Sequence, residues 1–73
     1  MTNPIYLKYR VQTVNVHTKE VTLMGYFRNI FDAMKYGHGL KLYPCEVLLI
    51  ARNDGDGEDD KWFIVYSRHG RGR

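Results

Sequence analysis

Only one stretch of this sequence, residues 29–37, spaces its apolar residues as a helix does. The i, i+3, i+4 spacing that places side chains on one helical face is shared by Ile30, Ala33 and Met34. Asn29 has the side chain of an N-cap, and Gly37 stands where a C′ residue would adopt positive φ at little cost. The pattern predicts a helix of about two turns. A helix that short covers only one face of a sheet, which limits the folds open to the chain.

Two segments with strand patterns precede the predicted helix. Residues 5–16 alternate apolar and polar side chains over their first half, which is typical of a half-buried strand. Residues 21–27 form the second segment, and the four residues between the two suit a hairpin connection. On one face of this second strand we expect Val21, Leu23, Gly25 and Phe27.

Two further strands follow the helix, at residues 45–52 and 61–67, and each is apolar on both faces. This pattern is typical of strands that are covered on two sides. The short helix covers only one side. The residues left without a cover are then Leu48, Ile50, Phe63 and Val65. Either the sheet curls into a half-barrel on itself, or part of this face, or an open strand edge, is a site for a partner.

The order of these elements, β-β-α-β-β, predicts an α+β fold. Two hairpins around one helix most simply form a four-stranded antiparallel sheet with one short helix packed on one face. We assign residues 1–67 to this single small domain and residues 68–73, "RHGRGR", to a flexible basic C-terminal tail. The chain has 73 residues, near the lower limit for a self-sufficient core, and its aromatic content of 14% offers a large buried area per residue.

The cellular environment can also be predicted. No apolar run approaches the roughly 18 to 20 residues that a membrane span needs, so we expect no membrane association. The single cysteine, Cys45, cannot form an internal disulfide. Both observations favour a soluble protein in a reducing compartment, the cytoplasm.

Charge is divided unevenly along the chain. Five of its eight acidic residues fall within residues 54–60: Asp54, Asp56, Glu58, Asp59 and Asp60. The rest of the chain has eleven Lys and Arg against three acids, a net charge of +8. EF-hand registers that start at Asp54 or Asp56 lack the glycine that the sixth position of a calcium loop needs. A solvated hairpin tip and a recognition element for a basic partner remain open.

The residue types that carry catalysis and metal binding are not arranged for either. His17, His38 and His69 fall in a predicted turn, helix end and tail, without a Cys or His partner at zinc spacing. No Ser-His-acid arrangement, phosphate-binding loop or pair of active-site carboxylates can be placed. We therefore predict a protein that is not an enzyme and that uses no metal or cofactor.

Four groups of residues are candidates for partner binding: a basic aromatic strand patch, residues off the helical stripe, the acidic segment and the basic tail. In that order their members are Tyr6, Lys8 and Arg10; Phe31, Lys35 and Tyr36; Asp54, Asp56, Glu58, Asp59 and Asp60; and Arg68, Arg71 and Arg73. Large rings and arginine are enriched at protein interfaces, and basic groups with rings also suit a nucleic acid. A solvated or packed surface is the alternative for each group.

The organisation of the whole chain resembles a known class of phage protein. From "MTNPIYLKYRVQTVNV" through "FRNIFDAMKYGHGL" to "SRHGRGR", its 73 residues are similar to the small RNA polymerase-binding transcription regulators of lytic Xanthomonas phages. The shared features are the lone β-β-α-β-β domain, the charge segregated into one loop, the basic tail and the lack of a recognisable active site.

This resemblance implies a function and a location. It implies a protein that binds the β′ and β subunits of the host's bacterial RNA polymerase and hinders initiation by displacing or excluding the sigma factor. Antitermination is implied as a second effect, in the host bacterial cytoplasm. We expect the protein to be monomeric when it is not bound to its partner. The resemblance assigns no role to individual residues. A small nucleic-acid-binding module that uses the basic strand face and the tail is the alternative.

Overall fold

Four antiparallel strands and one helix make up the described part of the chain, which is residues 7–55 and 60–70 of a computed structural model. In chain order the elements are β1 Tyr9–Asn15, β2 Val21–Phe27, α1 Ile30–Gly39, β3 Glu46–Asn53 and β4 Trp62–His69. The strands form one sheet in the order β2-β1-β3-β4. The predicted α+β fold with its β-β-α-β-β order is confirmed. Among the described residues, no helix is long and apolar enough to cross a membrane.

The two hairpins meet at the centre of the sheet, where β1 pairs with β3. This pairing runs without a register shift from Tyr9 opposite Arg52 to Asn15 opposite Glu46. The β1–β2 turn closes with Lys19 at a positive φ of 68°. Strands β2 and β4 are therefore the two edges of the sheet.

Helix α1 begins where the sequence predicts. The side-chain oxygen of Asn29 accepts a hydrogen bond from the backbone N–H of Asp32 at 2.8 Å, which confirms the N-cap. The predicted end of the helix was wrong. The helix continues through Gly39, and Leu40 caps it by donating its backbone N–H to the carbonyl oxygen of Gly37 at 3.2 Å.

Gly37 serves close packing rather than the end of the helix. A Cβ atom at this position would lie 2.9 Å from Cδ2 of Leu48, which is fully buried in β3. Carbon atoms in folded proteins pack at about 3.5–4.0 Å, so a side chain here would force the two elements apart. The missing side chain of Gly37, and not its backbone freedom, is what the fold uses.

The core lies between α1 and one face of the sheet. Its fully buried members are Val11, Ala33, Leu48 and Ile50. Around them pack Tyr9, Met24, Phe27, Ile30, Met34, Leu40, Leu42 and Tyr66. The predicted helical stripe is confirmed as core. The prediction that Leu48 and Ile50 lie away from the helix was wrong, because both are covered by it. Their neighbours Val47 and Leu49 occupy the other face.

Each edge strand contains one extra residue. The register of β2 against β1 shifts at Met24, and the register of β4 against β3 shifts at Val65. Such β-bulges increase the local twist and change which side of the sheet the later side chains reach. The predicted common face of β2 was wrong for this reason, because Leu23 lies on the side opposite to Gly25 and Phe27.

Strand β4 extends two residues beyond the predicted strand, through His69. Arg68, which was predicted to begin the tail, is half-buried, and its Nη2 atom donates to the carbonyl oxygens of Gly37 at 2.7 Å and Leu40 at 3.0 Å. A cation at this position is favourable because the C-terminal end of a helix carries partial negative charge. Arg68 therefore holds β4 to α1. Outside the described residues lie the other two arginines of the predicted tail, Arg71 and Arg73.

Candidate protein-binding face

The sheet has one face that α1 does not cover, which we call the open face. Side chains that lie opposite each other in an antiparallel pair project to the same side, and neighbours along a strand alternate. Since Val11, Leu48 and Ile50 lie under the helix, the residues between them project to the open face. The aliphatic residues of the open face are Val14, Val21, Leu23, Val47, Leu49, Ala51 and Ile64.

The apolar residues at both edges of the open face are strongly exposed. Val21 and Leu23 in β2 are 58% and 52% exposed, and Ile64 in β4 is 54% exposed. In the register, Val21 lies opposite Val14, which lies opposite Val47, so apolar side chains extend across three of the four strands. Complete burial of such a side chain is worth about 1.5–3 kcal/mol, so each half-exposed one can still contribute about 1 kcal/mol to binding. An apolar surface of this kind is typical of a protein-binding site.

At one end of the open face, Arg10, Trp62 and Tyr26 form a cluster. The Cζ atom of Arg10 lies 4.3 Å from the centroid of the Trp62 ring, which is a cation–π contact. The Trp62 and Tyr26 centroids are 6.1 Å apart, although the residues belong to opposite edges of the sheet. In a flat sheet with strands about 4.8 Å apart these edges would be about 14 Å apart. The side chains of both edges therefore lean together over Ala51, which is fully buried.

Of the half-barrel that the sequence left open, the structure shows only a contact between edge side chains at this end. Rings from β2 and β4 meet there, but the two edge strands do not pair with each other. Away from the cluster the face stays uncovered, with Val21 and Leu23 more than half exposed.

The guanidinium of Arg10 is only partly satisfied. Its Nε atom is buried and has no hydrogen-bond acceptor among the described residues. None of the described strand positions on the open face is acidic. The open face thus combines exposed apolar side chains with a cation that has no strand carboxylate beside it.

The edges of the sheet are poorer docking sites than its open face. A partner strand that adds to an edge needs a continuous row of free N–H and C=O groups. The bulges at Met24 and Val65 interrupt this row on both edge strands, and bulges are a known protection against edge pairing. Of the two partner sites that the sequence left open, the geometry favours the face.

The structure describes two of the three residues of the predicted basic aromatic strand patch, Lys8 and Arg10. Tyr6 lies outside the described residues. Lys8 is exposed just before β1, and its carbonyl oxygen accepts the backbone N–H of Asn53 at 2.8 Å. Sequence reasoning identified Arg10 but missed Trp62 as its neighbour. Only the strand register could have identified the pair. Both β1 and β4 pair with β3, and this pairing places the start of β4 near the start of β1.

Contacts within the chain hold the base of the acidic segment. Arg52 donates from Nε and Nη2 to the two carboxylate oxygens of Asp54, at 2.8 and 3.1 Å. This hydrogen bonding to Asp54, and then the negative charge of Asp54, raises the pKa of Arg52. Asn53 donates from Nδ2 to Oδ1 of Asp60 at 3.0 Å. Among the described residues, no group of His, Cys, Asp and Glu could hold a metal ion. Outside the described residues lie Asp56, Glu58 and Asp59.

The candidate residues on α1 differ in what they touch. Phe31 is 81% exposed, and Lys35 is exposed as well. Tyr36 instead packs its ring against Phe27, with the centroids 5.3 Å apart. Phe31 and Lys35 thus stay available on the helix surface, whereas Tyr36 helps to cover the edge of the sheet.

Comparison with protein-family models, with curated proteins and with solved structures finds no match to this chain. The candidate site therefore rests on its own geometry, which is an apolar face with one stacked arginine at its end.

Proposed function

We propose that the protein binds bacterial RNA polymerase at its large catalytic subunits, β′ and β, and inhibits initiation of transcription by interfering with the sigma factor. The resemblance to phage transcription regulators supplies the partner. The observation that carries the proposal is the open face, whose aliphatic edge residues Val21, Leu23 and Ile64 are more than half exposed. Exposed apolar surface on a folded sheet is typical of a site that binds another protein.

An inhibitor that performs no chemistry acts through a difference in affinity. It shifts the binding of sigma only if it binds polymerase without sigma more tightly than polymerase with sigma. The apolar residues of the open face would set the lifetime of the complex, because most differences in affinity arise from the dissociation rate. The basic body and the acidic segment would set the approach and orientation of the two proteins. Antitermination would follow if the complex persists during elongation.

A nucleic-acid-binding module is the second candidate function. The cluster of Arg10, Trp62 and Tyr26 joins a cation to two rings, and such groups bind phosphates and bases. The net charge of +8 outside residues 54–60 favours the same partner. Exposed Val21 and Leu23 favour a protein instead, because aliphatic side chains have no role on a phosphate backbone.

The proposal is tested by measuring the affinity of the immobilised protein for purified bacterial core RNA polymerase and for the holoenzyme, at an ionic strength of roughly 0.15 M. We expect tighter binding of the core enzyme. A double variant, Leu23→Ser with Ile64→Ser, removes exposed apolar side chains from both edges of the open face, and we expect its affinity to fall at least about tenfold. Phe31→Ser is the matched control, since it removes an exposed ring from α1, and we expect a change below about twofold.

Each other result has a definite meaning. If the wild-type protein does not retain core polymerase, the proposed function is wrong. A loss caused by Phe31→Ser and not by the double variant would move the interface from the open face to α1. Gel shifts with DNA and RNA test the second candidate, whose affinity must fall steeply as the salt concentration rises.

A further inference from the structure

The geometry points to a specific chemistry for the partner at the open face: a protein segment that places an Asp or Glu carboxylate on the guanidinium of Arg10 and apolar side chains next to it. This inference rests on the proposed function, because it describes the polymerase segment that the open face contacts. The contact joins one guanidinium, that of Arg10, to one carboxylate, and is therefore more specific than a general attraction between charged surfaces.

Arg10 is held in position before a partner arrives. The cation–π contact of its Cζ atom with the Trp62 ring, at 4.3 Å from the centroid, restricts the side chain, and Tyr26 borders the same ring at 6.1 Å. A guanidinium has five N–H donors, so contact with a ring leaves donors for an acceptor. An ordered side chain also loses less conformational entropy on binding than a free one. Arg10 is therefore suited to anchor an acceptor that has two oxygens.

Two other arginines of the sheet already have acceptors, which sets Arg10 apart from them. Arg52 donates to both carboxylate oxygens of Asp54, and Arg68 donates to two carbonyls at the end of α1. The Nε atoms of Arg10 and Arg68 are both buried without an acceptor among the described residues, so the two arginines differ at their Nη atoms. Nη2 of Arg68 donates to two carbonyls, whereas the Arg10 side chain has no hydrogen bond to a described residue, and no described strand position of the open face is acidic. The acceptor that best matches a guanidinium is a carboxylate, through two parallel hydrogen bonds.

The surroundings of Arg10 favour a protein segment over a nucleic acid. In the row of paired residues that crosses the sheet there, its neighbours are Tyr26, Ala51 and Ile64. The next row on the same face begins with Leu23, which is 52% exposed. A phosphate backbone laid along these rows would meet one arginine and mostly apolar side chains, whereas tight phosphate binding needs several cations. A segment with one acid among apolar residues matches both features.

The inference is tested with charge variants of Arg10, each compared with a matched variant of Lys41, an exposed cation that follows α1. We expect Arg10→Gln to weaken binding to core polymerase about tenfold and Arg10→Glu about a hundredfold. Lys41→Gln and Lys41→Glu should remain within about threefold of the wild-type affinity. Thermal unfolding of every variant separates loss of the contact from loss of the fold.

A second measurement leaves Arg10 unchanged. A photo-crosslinking residue, p-benzoylphenylalanine, replaces Ile64 in the same row of the sheet. We expect the polymerase peptide that it captures to contain Asp or Glu, and we expect reversal of that acid to Lys to restore the binding of Arg10→Glu. A captured peptide without an acidic residue would overturn the inference.

The remaining outcomes separate this inference from the proposed function. If Arg10→Glu binds core polymerase as tightly as the wild type, the inference is wrong and the proposed function stands. If the wild type does not bind core polymerase at all, the proposed function is wrong and the inference falls with it. A dependence on Arg10 that is seen with DNA or RNA and not with polymerase would assign the cluster to a nucleic acid and overturn the inference.

Discussion

Leu48 and Leu49 are consecutive residues of one strand, yet their surroundings are opposite. Leu48 is fully buried beneath α1, whereas Leu49 projects to the open face beside Gln12. The contrast extends across the sheet. Val11 and Ile50 are fully buried on the covered face. The aliphatic edge residues of the open face, Val21, Leu23 and Ile64, are more than half exposed. The covered face stabilises the fold, and the open face is the one that we propose for a partner.

We expect the largest difference in the free energy of unfolding between substitutions of a leucine on each face. Leu48→Ala leaves a cavity beneath α1, and we expect the free energy of unfolding to fall by about 3 kcal/mol. Leu23→Ala on the open face removes a side chain that is 52% exposed, and we expect a loss below about 1 kcal/mol. Denaturant unfolding of both variants measures the difference. Equal losses would show that both faces belong to the core and would remove the distinction between them.

The second comparison sets two half-buried arginines against each other. Arg68→Met removes the hydrogen bonds to the last carbonyls of α1, and we expect a loss of about 2 kcal/mol in the free energy of unfolding. Arg10→Met on the open face loses only its stacking on Trp62, and we expect a loss of about 0.5–1 kcal/mol. Thermal unfolding checks the order of the two. The reverse order would place the structural arginine on the open face.

The smallest effect concerns the two glycines of α1. Gly37→Ala gains helix propensity of about 1 kcal/mol but pushes a methyl group against Leu48, and overpacking costs about 1–3 kcal/mol. We expect a net loss of about 1 kcal/mol. Gly39→Ala is the control, since nothing lies within 4 Å of its added methyl group, and we expect no loss of stability. The midpoint of denaturant unfolding distinguishes them, and a stabilised Gly37→Ala variant would contradict the close approach of α1 to β3.

The type and order of the elements could be predicted because they depend on neighbours along the chain. The alternation at residues 5–12 and the helical stripe at 30–34 are local patterns, and the N-cap depends on the side chain of Asn29. The role of Gly37 could not be predicted from neighbouring residues. Its place in the sequence fits the end of a helix, but its role depends on Leu48, which comes from another strand.

The candidate site depends on strand register, which a sequence pattern does not supply. Arg10 was identified from alternation, but Trp62 and Tyr26 reach it only because four strands pair in this order and both edge strands bulge. Arg68 was assigned to a tail because basic, glycine-containing ends are typical of tails. Its contact with the end of α1 is tertiary and could not be read from its neighbours.

The extra residues Met24 and Val65 also bear on how the protein behaves when many copies are present. Fibrils grow when one chain after another adds its backbone to a free strand, and uncovered aliphatic side chains encourage the first encounter. Both edge strands of the sheet, β2 and β4, contain a bulge. A second copy can therefore touch the open face without adding a strand to the sheet. We expect crowded molecules to collide and separate, so that the open face remains available for the partner that we propose.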